Sequence, residues 1–429
     1  MKVEKIHIEN FTQFTDLPIE LSSDVIVFIG NNGAGKTSIL RIISTLLSWL
    51  IARIKQEKGK GSPISDLDIK NNANYSKITV EVLADNQTNF QWTLAKQRKG
   101  FKNNQNSNLK DVTHLADLYR NSLTQNEKSN LPLVIYYPVE RAVLNIPLKI
   151  NSRYSFEQLD GYDNAIIGTD FQHFFEWFRE REDAENEKSR ITLELIKNNP
   201  QKIHEKFLYD DKQLTAVRDA IATFIPVFSK LRIQRKPKLR MTVQKHGQTL
   251  DVTQLSQGEK SLMALVGDIA RRMVIMNPCL ENPLHGDGIV LIDEIDLHLH
   301  PQWQRGIIQR LHNTFPNCQF FLATHSPLVI SDAKDLECYV LDNKQLTPLK
   351  NLYGLDVNQV LVEAMNTEIR NEEVQEKITE LLDHIQDGDL KQANTTLHQL
   401  ETDLFTNHIE LIKARLLIKR LEVLHAKNK

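Results

Sequence analysis

The chain has 429 residues, of which 41% are hydrophobic and 25% are charged, as expected for a large globular protein with more than one domain. A formal net charge of −2 excludes a protein whose whole surface attracts nucleic acid, although a local basic patch stays open. The three widely spaced cysteines exclude a disulfide framework and a paired-cysteine metal site, and they favour a reducing cytoplasm.

The first part of the chain is predicted to form strands around one long helix. The helix is expected from Gly35 to about Ile54. Its apolar run contains two arginines and is short for a bilayer, so we expect a buried helix of a soluble protein. Apolar alternation or continuous apolar runs predict strands near residues 3–8, 17–21, 25–29, 78–83, 90–94 and 133–138.

The second part begins with a mostly helical stretch from residue 170 to 228 and ends with helices from Glu372 onward. Between them, the patterns predict strands within 230–253, a helix over 258–276, a strand at 289–292, a helix over 303–314 and a strand at 320–323. Strand and helix alternate on both sides of the helical middle. We therefore predict an α/β core assembled from distant N- and C-terminal halves.

Residues 30 to 37 read Gly-Asn-Asn-Gly-Ala-Gly-Lys-Thr and fit the phosphate-loop pattern GxxxxGK[ST] between a strand and a helix. Glycines let the backbone curl around phosphate oxygens, and the N–H groups of the helix start face the anion. Lys36 is expected to reach the β- and γ-phosphates, and Thr37 to hold Mg²⁺. The candidate nucleotide-binding residues of this loop are Gly30, Asn31, Asn32, Gly33, Ala34, Gly35, Lys36, Thr37 and Ser38.

An acidic pair follows the apolar strand at 289–292. Ligands of an α/β sheet bind at the carboxyl edge of its strands, where Asp293 and Glu294 are expected. Asp293 is the candidate second ligand of Mg²⁺, directly or through water. Glu294 is the candidate base that orients and polarises the attacking water.

Two histidines lie beyond the acidic pair. His298 and His300 could belong to a zinc site, but they lack companion ligands. This favours a turn before Pro301, near a subunit interface. The segment Leu255-Ser-Gln-Gly-Glu259 precedes a helix, where Ser256 and Gly258 could bind an anion or simply cap the helix.

These pieces follow one another in the order phosphate loop, long insertion, LSxGE, acidic strand and strand-ending histidine, and the chain thereby resembles the ABC-type ATPase head of the SMC/RecF/OLD branch. The resemblance implies a mixed sheet plus an antiparallel β subdomain, with a helical insertion and a helical C-terminal tail. It also implies ATP and Mg²⁺ as cofactors and two heads that sandwich two ATP molecules.

The same resemblance assigns roles to residues of this chain. Ser256, Gln257, Gly258 and Glu259 take the signature role at the nucleotide. Asp296 belongs to the loop across the dimer interface, and His325 senses the γ-phosphate. Catalysis is assigned to Glu294, His325 and Lys36. The family also expects a glutamine between its lobes, for which Gln158 and Gln172 are candidates, and it stays unassigned.

Within the branch, the LSxGE segment differs from the LSGGQ of transporters, the chain is too short for long SMC arms, and no toprim constellation follows His325. The chain looks like the PtuA ATPases of Septu and retron-associated antiphage systems. That likeness implies an oligomer with a partner HNH nuclease of the PtuB type, which would cleave nucleic acid in trans. A retron reverse transcriptase and its DNA are further partners it allows. A RecF-like DNA-binding repair ATPase and a low-turnover ATP-bound scaffold are the alternatives.

We expect four regions: an N-terminal ATPase lobe (1–150), a helical insertion (151–229), a C-terminal ATPase lobe with the signature, acidic strand and histidine (230–345), and a helical interaction or assembly region (346–429). Two features leave alternatives. The basic run Lys230–Arg240 fits a strand that tracks phosphates or a protected sheet edge. The apolar stripes of the tail fit a nuclease-docking face or the tail's own core.

Overall fold

The structure is a computed structural model that describes residues 1–84, 88–101, 105–142, 156–166, 171–198, 210–350, 352–363, 370–404 and 408–427. The chain divides into two compact units, Met1–Asp356 and Val357–Lys429. The four expected regions stay a prediction. The second unit begins later than residue 346 because the residues around that position form a strand of the first unit's sheet.

The first unit contains all the described strands. They are β1 (Lys2–Phe11), β2 (Phe14–Glu20), β3 (Val25–Gly30), β4 (Tyr75–Leu83), β5 (Asn89–Gln97), β6 (Leu133–Tyr137), β7 (Phe228–Gln234), β8 (Arg240–Lys245), β9 (Gln248–Asp251), β10 (Gly288–Ile292), β11 (Cys318–Ala323), β12 (Glu337–Asp342) and β13 (Gln345–Leu349).

The helices of the first unit are α1 (Lys36–Lys55), α2 (Lys110–Gln125), α3 (Phe171–Asn198), α4 (Lys212–Phe224), α5 (Gln257–Met276), α6 (Pro301–Gln304), α7 (Ile307–Thr314) and α8 (Pro327–Ser331). Those of the second unit are α9 (Val357–Glu363), α10 (Glu372–Gln386), α11 (Leu390–Asp403) and α12 (Ile409–Lys427).

A six-stranded mixed sheet forms the centre of the first unit, in the order β13-β12-β3-β11-β10-β6. All pairings are parallel except that of β12 with β13. Ile292 pairs with both Tyr137 and Leu322, and Ala323 pairs with Phe28, so β3, β6, β10 and β11 end at one edge. The predicted α/β core from distant halves is confirmed, because N-terminal β3 lies between C-terminal β11 and β12.

Two antiparallel sheets complete the unit, one in the order β2-β1-β4-β5 and one in the order β7-β8-β9. They confirm the predicted antiparallel β component of the fold. The hairpin β12–β13 and the helix α2 were not predicted from the sequence. The helix predicted over 303–314 is divided between α6 and α7, because Gly306 has a φ of +66° that ends one helix and begins the next.

Helix α1 is the core helix that the sequence predicts. By length and composition alone, this helix is long and apolar enough to span a membrane. Its most apolar window has a mean hydropathy of 1.4, and 61% of that window is buried within the protein. Trp92 of β5 is fully buried against it and donates its indole N–H to the Leu46 carbonyl at 3.0 Å. This contact joins the four-stranded sheet to the helix that begins at the phosphate loop.

The second unit has a hydrophobic core of its own, made by α10, α11 and α12. Its buried members are Ile378, Leu381, Ile385, Ala393, Leu397, Leu400, Leu411, Ala414 and Ile418. Most of the apolar stripes of the tail therefore serve this core. Other apolar residues of α12 are exposed, among them Ile409, Ile412 and Leu416.

Candidate functional site

The phosphate loop connects β3 to α1. At two of its residues the backbone adopts a conformation that favours glycine. Gly30 has a φ of +142°, and a Cβ there would lie 2.3 Å from the carbonyl oxygen of Leu341 in β12. Gly35, at the start of α1, has a φ of +109°. The loop therefore begins close against β12 at Gly30 and turns into the first residue of α1 at Gly35.

Lys36 points back over this loop. Its Nζ donates to the carbonyl oxygens of Gly30 at 2.8 Å and Asn31 at 3.2 Å, and the residue is buried. Burial lowers the pKa of Lys36, and the carboxylates of Glu294, Asp293 and Asp296 raise it, with a net shift below its usual value. The charge of this lysine thus lies in the field of the acidic residues predicted to share its site.

Asp293 follows β10 at the shared edge of the sheet and is fully buried. Its backbone N–H donates to the Tyr137 carbonyl at 2.9 Å, which extends the pairing of β10 with β6 by one residue. A buried carboxylate in the field of a lysine and close to the phosphate loop is the ligand type that Mg²⁺ prefers. The position fits the predicted metal role of Asp293.

Glu294 leaves the strand with a φ of +48°, in the left-handed region. A residue with a Cβ pays about 1–3 kcal/mol for such a conformation, which occurs often at functional sites. The turn brings its Oε1 to 3.4 Å from Nε2 of His325, and about a quarter of each side chain is exposed. The structure thus pairs the predicted base with the predicted γ-phosphate sensor at the accessible side of the site.

Asp296 and the residues beside His325 form one polar network. The Thr324 hydroxyl donates to Oδ1 of Asp296 and accepts from the Ser326 N–H at 3.0 Å. The Ser326 hydroxyl donates to Oε1 of Gln304 at 2.6 Å. The loops that follow β10 and β11 are therefore held to each other on both sides of His325.

The signature segment begins α5 with a reciprocal cap. The Ser256 hydroxyl accepts the Glu259 N–H at 3.3 Å, and Oε2 of Glu259 accepts the Ser256 N–H at 3.0 Å. Oε1 of Glu259 also lies 2.5 Å from Nζ of Lys245 in β8. Burial would raise the pKa of Glu259, but the contacts with Lys245 and Ser256 lower it below its usual value. Its carboxylate holds the helix start in shape, while Ser256 and Gln257 are exposed.

Gly258 packs against the loop that follows the acidic strand. A Cβ at this residue would lie 2.6 Å from the His298 carbonyl oxygen. His300 caps α6 through Nδ1, which accepts the Gln302 N–H at 3.2 Å, so the two histidines lie on the turn predicted before Pro301. Both are exposed, and no group of three metal-binding side chains gathers within the described ranges. The interface role of this turn stays a prediction.

Three glutamines outside the motifs are placed by the structure. Gln158 donates to the carbonyls of Ser129 and Met276, at the far end of α5, and Gln172 donates to Glu176. The interlobe glutamine stays unassigned. Gln13, which belongs to none of the sequence motifs, donates to the Ala34 carbonyl of the phosphate loop. Only the folding of the β1–β2 turn onto the loop reveals it, because no local pattern marks this residue.

The side chains at this edge fit a magnesium–nucleotide complex. The loop offers N–H groups, Lys36 offers a cation, and Thr37 is exposed, while the buried Asp293 carboxylate acts on Lys36 from the end of β10. Hard oxygen donors of this kind suit Mg²⁺, which usually keeps several waters and substrate phosphates in its shell. Thr37 and Asp293 would hold the ion, and Lys36 with the loop would hold the phosphates.

Comparison with known proteins places this site in a family. Residues 25–331 match the family model AAA_21, described as "AAA domain, putative AbiEii toxin, Type IV TA system". The matched region contains the phosphate loop, the signature segment, the acidic strand and His325. Among solved structures, an SmcHead bound to the C-winged helix domain of ScpA is 16% identical, with 81% of this chain and 98% of that chain covered and a TM-score of 0.47. RecF of the RecFOR pathway is 14% identical, with 81% and 98% covered and a TM-score of 0.42.

The similar curated proteins include two that are named as probable ATPases of retrons and one that is named as a Septu protein. "Retron Vc95 probable ATPase" of Vibrio cholerae serotype O1 biovar El Tor is 36% identical over 403 residues, covering 84% of this chain and 78% of that protein. "Retron Ec83 probable ATPase" of Escherichia coli is 32% identical, covering 82% and 72%. "Septu protein PtuA" of Bacillus mycoides is 25% identical, covering 79% and 40%. The predicted likeness is confirmed, and the chain belongs to the AAA_21 family of ATPases, together with these retron-associated relatives.

Proposed function

We propose that this ATPase hydrolyses ATP with Mg²⁺ at the edge of the central sheet and pairs two heads through nucleotide. We further propose that it thereby controls a partner HNH nuclease in antiphage defence. The observation that carries the proposal is the meeting of Lys36, Asp293, Glu294 and His325, from three distant chain segments, at one edge of parallel strands. Ligands of α/β sheets bind at such an edge.

The reaction is attack of a water oxygen on the γ-phosphorus, with ADP as the leaving group. Glu294 accepts a proton from that water, and His325, 3.4 Å away, holds the carboxylate in place and contacts the γ-phosphate. Lys36 moves from the loop carbonyls to the phosphate oxygens. Bound Mg²⁺ would neutralise charge on the phosphates, held by Thr37 and Asp293.

Head pairing is supported by the exposure of the signature segment. Ser256 and Gln257 face solvent at the start of α5, where N–H groups and the helix dipole favour an anion. In the proposed dimer they would contact the γ-phosphate bound to the other head. Gly258 would let this segment stay packed on the His298 turn, which lies beside Asp296 in the chain.

The partner is proposed from the relatives. Two of them are named as retron ATPases and one as the Septu protein PtuA, so we place this chain in such a system with a PtuB-like HNH nuclease. The exposed apolar residues of α12 offer a surface for that nuclease. A retron reverse transcriptase with its DNA is the further partner that the retron relatives favour. We place the complex in the cytoplasm.

The decisive experiment changes Glu294 to Gln, which keeps the shape of the side chain and removes its basicity. General-base catalysis contributes about 10²–10⁴-fold, so ATP turnover should fall by that order while ATP still binds. A nucleotide-dependent dimer should then accumulate and be visible by light scattering. The matched control is Glu57→Gln, a change at an exposed glutamate beyond the end of α1.

Wild-type turnover in Glu294→Gln would overturn the catalytic assignment. If the wild-type protein bound ATP but scarcely hydrolysed it, with or without DNA, the low-turnover scaffold would be the better description. Purification of the tagged chain from its native operon tests the partner, because a stoichiometric HNH protein is expected in the eluate.

A further inference from the structure

The segment Phe228–Lys245, which forms β7 and β8, concentrates positive charge in a chain whose net charge is −2. It contains no acidic residue. Its basic residues are Lys230, Arg232, Arg235, Lys236, Lys238, Arg240 and Lys245. A local excess of this size creates a positive field that the overall charge of the protein hides.

Some of these charges have partners within the protein. Arg235 donates to Asp183 at 2.7 Å, and Lys245 pairs with Glu259. Lys230 and Arg232 are exposed, and no carboxylate of the described ranges forms an ion pair with either. These two cations are therefore left to act on a ligand.

A bulge in β7 places the side chains of Lys230 and Arg232 along one groove on the face of the sheet. The register between β7 and β8 shifts between Ser229 and Arg232, and Lys230 has a φ of +51° at this irregularity. Such a bulge redirects a side chain. Here it gathers Lys230 and Arg232 along a groove of about 430 Å³ whose polar lining is completed by Gln234, Thr242, Gln244 and Thr249.

Lys230 and Arg232 lie on the outer strand β7, where charges and a bulge also protect a sheet edge. Both side chains line a groove with Thr242 of β8 and Thr249 of β9, so their charge also faces a surface that spans all three strands. The only nearby carboxylate on β9, that of Asp251, accepts hydrogen bonds from the N–H and hydroxyl of Thr253.

We propose that this groove binds the sugar–phosphate backbone of a nucleic acid. Two cations flanked by amide and hydroxyl donors are the side chains that contact phosphate oxygens. The lining contains no aromatic ring on which a base could stack, so the contact is to the backbone and is independent of sequence.

The groove is also connected to the signature segment by an ion pair and by a short stretch of chain. Lys245 of β8 holds Glu259 of α5, and β9 leads through a short 3-10 turn, Val252–Gln254, to Ser256. Nucleic acid on this sheet would therefore stiffen the element that presents the signature, and we expect it to change ATP turnover. This second step rests on the proposed function, whereas binding itself does not.

The test measures binding of a labelled duplex and a labelled single strand of mixed sequence to the nucleotide-free protein, by fluorescence anisotropy over a range of salt concentrations. The double variant Lys230→Gln/Arg232→Gln is compared with wild type and with Lys58→Gln/Lys60→Gln. The control removes the same charge from an exposed loop beyond α1. Thermal unfolding verifies that all three proteins are folded.

Wild type and control should bind alike, and the groove variant should bind at least about tenfold more weakly. Log affinity falls with log salt concentration, and each lost phosphate contact makes this dependence less steep by about 0.9. For the duplex, the magnitude of the slope should therefore decrease by about 1.8 in the groove variant. Equal affinity and slope in the two variants would overturn the proposal, as would a wild-type protein that binds neither strand at low salt. Because no nucleotide is present, failure here leaves the ATPase assignment untouched.

Discussion

The phenol of Tyr137 donates to Oδ2 of Asp268 at 3.0 Å in the interior of the first unit. Tyr137 ends β6, and its carbonyl oxygen accepts the N–H of Asp293. Asp268 lies on α5, the helix that begins with the signature segment. One side-chain contact thus joins the strand beside Asp293, the proposed magnesium ligand, to the helix that begins with the signature segment.

Two buried arginines complete this connection. Arg271 and Arg272 donate to Asp268 at 2.8 and 2.9 Å, and Arg272 also donates to the carbonyls of Gly161 and Asp163. Burial alone would raise the pKa of Asp268, but the two arginines lower it below its usual value. The aspartate is therefore charged in the folded protein, and it neutralises the charge of arginines that are buried away from water.

Asp268→Asn should reduce the free energy of unfolding by about 3–5 kcal/mol, because it leaves two buried arginines without their carboxylate. Urea denaturation of the purified protein measures the change. Tyr137→Phe is the matched variant, since it removes one hydrogen bond to the same carboxylate and should cost only about 1.5–3 kcal/mol. Equal, small effects of the two changes would show that the ion pairs contribute little.

Glu259 should make stability depend on pH in the acid range. Its folded pKa is lowered, so its contribution is complete above the unfolded value of about 4.3 and is lost as the pH falls through the folded pKa. The melting temperatures of wild type and Glu259→Gln should differ near neutral pH and converge in acid. Lys245→Met, which removes the partner cation, should show the same convergence, and a constant gap at every pH would rule out this role.

Lys36→Ala should weaken ATP binding by at least about tenfold, since it removes the buried cation that is proposed to contact the phosphates. A fluorescent ATP analogue measures the affinity by titration. Lys55→Ala, at the other end of α1, is the control, because Lys55 pairs with Asp163 on the surface. Unchanged affinity in Lys36→Ala would contradict the assignment of the loop as the nucleotide site.

The tail should separate into residues that hold its core and residues that bind a partner. Leu400→Ala creates a cavity in the core of the second unit and should cost about 2–5 kcal/mol of its stability. Ile412→Ser/Leu416→Ser changes exposed residues, so stability should move by only about 0.5 kcal/mol for each change. If the proposed nuclease docks here, co-purification should be lost in the second variant. Retention of the nuclease would exclude this face of α12.

Local chemistry made the nucleotide site recognisable in the sequence. The run Gly30–Thr37 needs glycines at fixed points and a lysine before a helix, and Asp293 and Glu294 follow a continuously apolar strand. Each pattern reflects a requirement of its own neighbours in the chain, so it can be read without knowing the rest of the fold. The helices α10 to α12 of the second unit were predictable for the same reason, because their apolar spacing repeats with the helix turn.

Long-range contacts were decided only by the tertiary structure. Asp268, Arg271 and Arg272 look like the charged residues of a surface helix, and only the packing around α5 shows that all three are buried and compensate one another. The β12–β13 hairpin, the contact of Gln13 with the phosphate loop and the approach of Gly258 to His298 have no local signature.

The sequence by itself determined which residues can bind a phosphate, hold a magnesium ion or accept a proton, because these capacities belong to side chains and short backbone patterns. The tertiary structure decided which of them meet. The insertion of N-terminal β3 between C-terminal β11 and β12 brings the phosphate loop to the acidic strand, and the left-handed turn at Glu294 brings that carboxylate to His325. Such pairings depend on the closure of the whole sheet, whose energy is spread over strands that are distant in the chain.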